Sequence, residues 1–121
     1  MVKVVIERHC KLGNENRLEG FLKDLRVSCM RNLSYISGET LVDIDDPLTY
    51  ITIGTWTRFE GWKAWQNCHE RQELIQLVSV CTTDEPSVSV YTAPGSGLGG
   101  FELDEYYSLI NSKINSFSGS K

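Results

Sequence analysis

The chain has 121 residues, with 16 acidic against 12 basic side chains, a formal net charge of −4 and a hydrophobic share of 40%. That length supports one hydrophobic core but not two, and the balance is that of a globular domain, not a disordered one. An acidic chain without a basic stripe is poorly suited to nucleic-acid phosphates, and no run is apolar enough for a signal peptide or a membrane span; the expectation is a cytoplasmic protein with neither nucleic acid nor membrane as partner.

Residues 2–9 alternate, with Val2, Val4, Ile6 and Arg8 on one side and Lys3, Val5, Glu7 and His9 on the other, which is the period of a strand. Gly13 and Asn14 break it, and Asn14 is placed to N-cap a helix reaching about residue 32. Within that helix Leu18, Phe21, Leu22, Leu25, Cys29 and Leu33 form one apolar face, while Lys23, Asp24 and Arg31 point away. A Ser37-Gly38 turn signal leads into a second strand over residues 39–43 or slightly beyond, closed by Asp45, Asp46 and Pro47. The third strand, residues 50–56, sets Tyr50, Thr52, Gly54 and Trp56 against Ile51, Ile53 and Thr55, and pairs with the second as an antiparallel hairpin.

Thr57 and Glu60 make the T-x-x-E pattern of a capping box, so a helix is expected to start there and run to about residue 77. Phe59, Trp62, Trp65 or Gln66, His69 and Ile75 fall on one stripe of it. The stripe has two readings: core packed on a sheet, or the wall of a pocket with one imidazole in its middle. Residues 86–92 alternate Val88 and Val90 against Ser89 and Tyr91 as a fourth strand. The order β-α-β-β-α-β is the ferredoxin-like α+β plan, a four-stranded antiparallel sheet covered by helices on one face. Its other face would be left open and partly apolar, so a two-fold homodimer closing into an α+β barrel is expected.

Residues 94–100 hold four of the ten glycines and read as a linker. Beyond it, residues 101–117 place Leu103, Tyr106 or Tyr107, Ile110, Ile114 and Phe117 on one stripe, an amphipathic helix that must dock on the partner subunit or over its own pocket. The expected organisation is therefore a domain over residues 1–93, a linker over 94–100, and a C-terminal helix and tail over 101–121. Cys10, Cys29, Cys68 and Cys81 are 19, 39 and 13 residues apart, which gives no metal-binding spacing; reduced thiols and no metal are expected.

The run YISGETLVDIDDPLTYITIGTWTRFEGWKAWQNCHERQELI resembles the antibiotic biosynthesis monooxygenase family of dimeric α+β barrels. The resemblance lies in a strand ending in Trp56, an aromatic nine residues on at Trp65, the Glu70-Arg71 pair and the closing strand PSVSVYT, and it spans residues 2–93. It implies one of several activities: oxidation of phenolic or anthrone-like aromatics with O₂ and no cofactor, haem degradation, or chemistry on quinone-like compounds. Haem degraders of the family use an Asn in the first strand, the helix Trp and a His ten residues later. Here Trp65 is kept, but Arg8 or a neighbour stands for the Asn and Ile75 for the His, which departs from that pattern.

Cofactor-free oxygenation requires a base that deprotonates a phenol or enol, and donors for the resulting oxyanion. The resemblance and the residue types together give His69 and Trp65 as the catalytic candidates. The substrate-binding candidates are Trp56, Trp62, Tyr35, Tyr50, Arg8, His9 and Asn67, around a small aromatic or quinone-like ligand. Two other readings stand beside the enzyme: a non-catalytic binding module, and a structural dimer whose interior Trp62 and Trp65 fill themselves. A cavity beside Trp65 above about 300 Å³ is what a small-molecule site requires.

Overall fold

A computed structural model of the chain describes residues 1–95. The expected helix over residues 101–117, and the linker beyond Gly95, lie outside the described residues. Four strands and three helices follow in the order β1 (Val2–His9), α1 (Glu15–Cys29), β2 (Tyr35–Val42), β3 (Thr49–Trp56), α2 (Phe59–Gln66), α3 (His69–Val80) and β4 (Ser87–Thr92). The sheet is antiparallel throughout in the order β2-β3-β1-β4. The two strands adjacent in sequence, β2 and β3, form a hairpin, and β1 is inserted between β3 and β4.

Register confirms the two faces read from the alternation. Val4 lies opposite Gly54 and Val90, and Ile6 opposite Thr52 and Val88, so these residues share the face toward the helices. Val2, Val4, Tyr50, Trp56 and Val90 are buried there against Leu18, Leu22 and Leu25 of α1 and Phe59, Trp62 and Trp65 of α2. Each fully buried large side chain in this layer contributes about 1.5–3 kcal/mol by leaving water. The opposite face carries Val5, Ile51 and Ile53, half-buried, with Leu41 and Tyr91 exposed.

Three local expectations are corrected. α1 ends at Cys29, so Leu33 falls beyond the helix and its side chain is fully exposed. β2 begins at Tyr35, not residue 39, because a register shift between Tyr35 and Ser37 lets the chain pair with Trp56 first and resume alternation afterwards. The capping box does not form. Thr57 donates its backbone N–H to the Ser34 carbonyl (2.7 Å), so no donor remains for the Glu60 carboxylate, and Arg58 occupies the N-cap position without a side-chain cap bond. Glu60 instead approaches Arg58 Nε at 3.7 Å.

The continuous helix expected to residue 77 is two helices. α2 stops at Asn67, and Cys68 adopts an extended conformation (φ −68°, ψ 134°) before α3 begins. A single extended residue rotates everything after it relative to the tryptophan stripe. In an unbroken helix His69 would sit one turn above Trp65, whereas the break turns it outward and brings Arg71 in. The first turn of α3 is then tied to α1 and the turn after it by Glu70, which accepts from the Ser28 hydroxyl and the Arg31 guanidinium. The acidic side chain also suits the positive end of the α3 dipole.

Candidate functional site

Between the helix face of the sheet and the helices lies a cavity of about 70 Å³. Its walls are aromatic: Trp56 closes β3, Trp62 and Trp65 come from α2, and the Tyr35 ring meets Trp56 edge-on at 5.3 Å and 71°. Tyr35 reaches this position because Gly38, next but two along β2, has no side chain; a Cβ there would collide with the Tyr35 hydroxyl. Arg26, Glu39 and Thr40, whose residues are exposed, mark the rim. The volume is well below the roughly 300 Å³ at which drug-sized pockets begin, so a fused polycyclic occupant would have to displace the walls.

The polar content of the cavity is cationic. Arg8, on β1, is 4% exposed and lines the pocket, with Arg71 from α3 and Arg26 from α1. Among the described residues the recorded hydrogen bond of Arg8 runs from Nη1 to Thr52 Oγ1 at 3.4 Å, and neither Arg8 nor Arg71 has a carboxylate partner. Burial, and secondarily repulsion from Arg71, pushes the Arg8 guanidinium down to about 10, and burial lowers Arg71 as well. Both remain charged at neutral pH. Among the described residues Glu39 is the one carboxylate residue of the lining, and it lies opposite Ile53 in register, with the set that faces away from the helices.

The remaining titratable groups are protonated. Burial pushes the Cys29 thiol up to about 12 despite the nearby Arg71, and burial also raises the Tyr35 phenol, against the opposing influence of Arg26. Guanidinium, hydroxyl and thiol groups suit an anion better than a metal cation, and the described residues contain no cluster of three metal-ligating side chains. No helix among them is long and apolar enough to cross a membrane.

The structure brings together Trp56, Trp62, Trp65, Tyr35 and Arg8 of the expected site and leaves out four others. His69 opens α3 with its side chain 86% exposed and its Nε2 3.4 Å from Glu73, so the expectation of a partly desolvated imidazole between tryptophans is overturned by the break at Cys68. Asn67 is exposed at the C-cap of α2. His9 lies on the far face of the sheet, where its ring nitrogens each reach a carboxylate at 2.9 Å, Asp84 and Glu7. Tyr50 shares the sheet face of the pocket but lies outside its lining, buried near α1, with its hydroxyl donating to Glu19 at 2.6 Å. Arg71, Arg26 and Cys29 line the cavity and were missing from the expected set.

No family model matches the sequence, and no curated protein does. Solved structures match along most of the described chain. An antibiotic biosynthesis monooxygenase superposes with a TM-score of 0.70 at 16% identity, covering 77% of this chain and 98% of that one. SnoaB, a cofactor-independent oxygenase from Streptomyces nogalater, gives 0.68 at 14% identity, covering 78% and 95%. A conserved protein from Methanosarcina mazei Go1 gives 0.70 at 16%, covering 74% and 89%. The chain has the α+β fold of the antibiotic biosynthesis monooxygenases.

Proposed function

We propose that the chain is a cofactor-independent monooxygenase acting on a small phenolic compound in the cavity between sheet and helices. The observation that carries this reading is the buried Arg8 with the half-buried Arg71 beside it, facing an aromatic chamber. A phenol entering it is drawn toward its anionic form by two desolvated guanidiniums, an effect that lowers an acid's pKa by about 1–3 units per close opposite charge. The pocket's own phenol and thiol are held protonated, and both histidines lie elsewhere, so the cationic environment lowers the substrate's pKa and the proton passes to solvent water as the phenol binds. The electron-rich phenolate then meets O₂ between Trp56, Trp62 and Trp65. Without a cofactor the substrate supplies all four electrons: a ring C–H becomes C=O, one oxygen atom enters the quinone, and the other leaves as water. The likeness to a cofactor-independent oxygenase supports the same reading at the level of fold.

The test is oxygen uptake by the purified protein with monocyclic phenols, naphthols and anthrones. Turnover should fall at least tenfold in Trp65→Ala and Arg8→Gln; turnover unchanged in both sinks the reading. The 70 Å³ cavity favours a second reading, a non-catalytic module with its interior largely filled, which predicts no oxygen uptake with any of these compounds. A homodimer is part of the proposal: the open sheet face with Ile51, Ile53, Leu41 and Tyr91 is the surface it would bury. Ile53→Glu should halve the solution mass measured by light scattering, and an unchanged mass contradicts that placement.

A further inference from the structure

We propose that the ligand of this pocket carries a carboxylate in addition to its hydroxylated ring, the two anionic groups being shared between Arg8, Arg71 and the rim guanidinium of Arg26. The inference rests on reading the cavity as a small-molecule site and counts its charges. One oxyanion, which is all that phenol oxidation generates, needs one cationic partner. The lining supplies three arginines, and Arg8 is almost wholly buried with a single hydroxyl, Thr52 Oγ1 at 3.4 Å, to satisfy five N–H donors. Two guanidiniums facing one cavity with no carboxylate between them among the described residues repel each other and remain poorly solvated.

A planar carboxylate matches the guanidinium fork with two parallel hydrogen bonds, and the compact ammonium of a lysine would serve a less directional anion equally well. The choice of arginine at all three positions, against tryptophan and tyrosine walls that accept a flat ring, selects an aromatic acid of the hydroxybenzoate type over inorganic anions. Arg26 is exposed at the rim and Arg8 is buried at the sheet, so such a molecule meets cations at both depths of the cavity.

The experiment is a titration of tryptophan fluorescence with 4-hydroxybenzoate, 4-hydroxybenzamide and inorganic phosphate, with oxygen uptake recorded in parallel. All three tryptophans line the cavity, so an occupant changes their emission. The expected result is that the acid binds at least tenfold more tightly than the isosteric amide, that phosphate does not compete, and that Arg8→Gln and Arg71→Gln each reduce the acid's advantage to near parity. Equal affinity for acid and amide in the wild-type protein overturns the inference without recourse to any variant, as does competition by phosphate at equal concentration or the absence of quenching by either ring compound. Acid binding without oxygen uptake supports the carboxylate site while ending the oxygenase reading. Uptake with neutral phenols and no preference for the acid does the reverse.

Discussion

Replacing Arg8 with methionine should make the protein more stable and less able to bind. The guanidinium is 4% exposed and pushed down to about 10; at about 1.4 kcal/mol for each pH unit of displacement, keeping it charged in the fold costs about 3 kcal/mol. Methionine retains most of the aliphatic packing and forfeits one long hydrogen bond to Thr52, worth about 1 kcal/mol, so Arg8→Met should gain about 2 kcal/mol. With a urea m-value of about 2 kcal/mol/M, the unfolding midpoint rises by about 1 M at unchanged slope. The pH dependence carries a sign. A cation whose pKa is lowered by folding destabilises the fold fully below its folded value, and the penalty is relieved as pH rises through it, because the unfolded chain then binds more protons than the folded one. The advantage of Arg8→Met should therefore be constant from pH 6 to 9 and shrink above about 10. A midpoint below that of the wild type would refute the reasoning, since it would mean that the guanidinium is well partnered.

Three further outcomes follow from the packing and the charges. Gly61 faces Ser34 so closely that a Cβ would collide with the serine side chain, and Gly61→Ala should lose about 1–3 kcal/mol of stability in urea melts; a neutral effect would mean that the loop at Ser34 yields freely. The Cys29 thiol, pushed up to about 12, carries only about one part in ten thousand of thiolate at pH 8. Iodoacetamide should thus spare it in the native protein and label it in urea, as mass mapping would show; rapid native labelling contradicts this. His9 bridges Asp84 and Glu7 with both ring nitrogens, a geometry that needs both to donate, and those hydrogen bonds raise its pKa. Its contribution to stability is present below the ordinary value and lost as pH rises through the raised one. His9→Gln should accordingly lose stability at pH 5.5 and match the wild type at pH 9, and a deficit equal at both pH values would show that charge is not involved.

Much of the architecture was legible because it depends on alternation. The β1 pattern grouped Arg8 with Val2, Val4 and Ile6, and the same arithmetic grouped Trp56 with Tyr50; register places both sets on the helix face. The helix break was not legible, because the 3.6-residue period from Phe59 through Trp62 and Trp65 runs on without interruption to His69, and nothing in Asn67-Cys68 carries the Gly or Pro that usually marks a stop. That one extended residue exchanged His69 for Arg71 in the site and so changed the chemistry from imidazole base to guanidinium field. The capping box failed for a non-local reason: the bond from Thr57 to Ser34 joins residues whose proximity depends on how β2 enters the sheet. Arg26 and Cys29 were assigned to α1, but their approach to the cavity depends on where that helix crosses the sheet, which no periodicity encodes.

The claim that the buried Arg8 and half-buried Arg71 guanidiniums do the work of a base is tested most directly by the ultraviolet absorbance of a bound phenol. A monocyclic phenol with a pKa near 9, added at pH 7.5 to excess protein, should show the red-shifted band of its phenolate, and Arg8→Gln should return the band to that of the neutral phenol. A bound phenol that keeps its neutral spectrum at that pH would contradict the account.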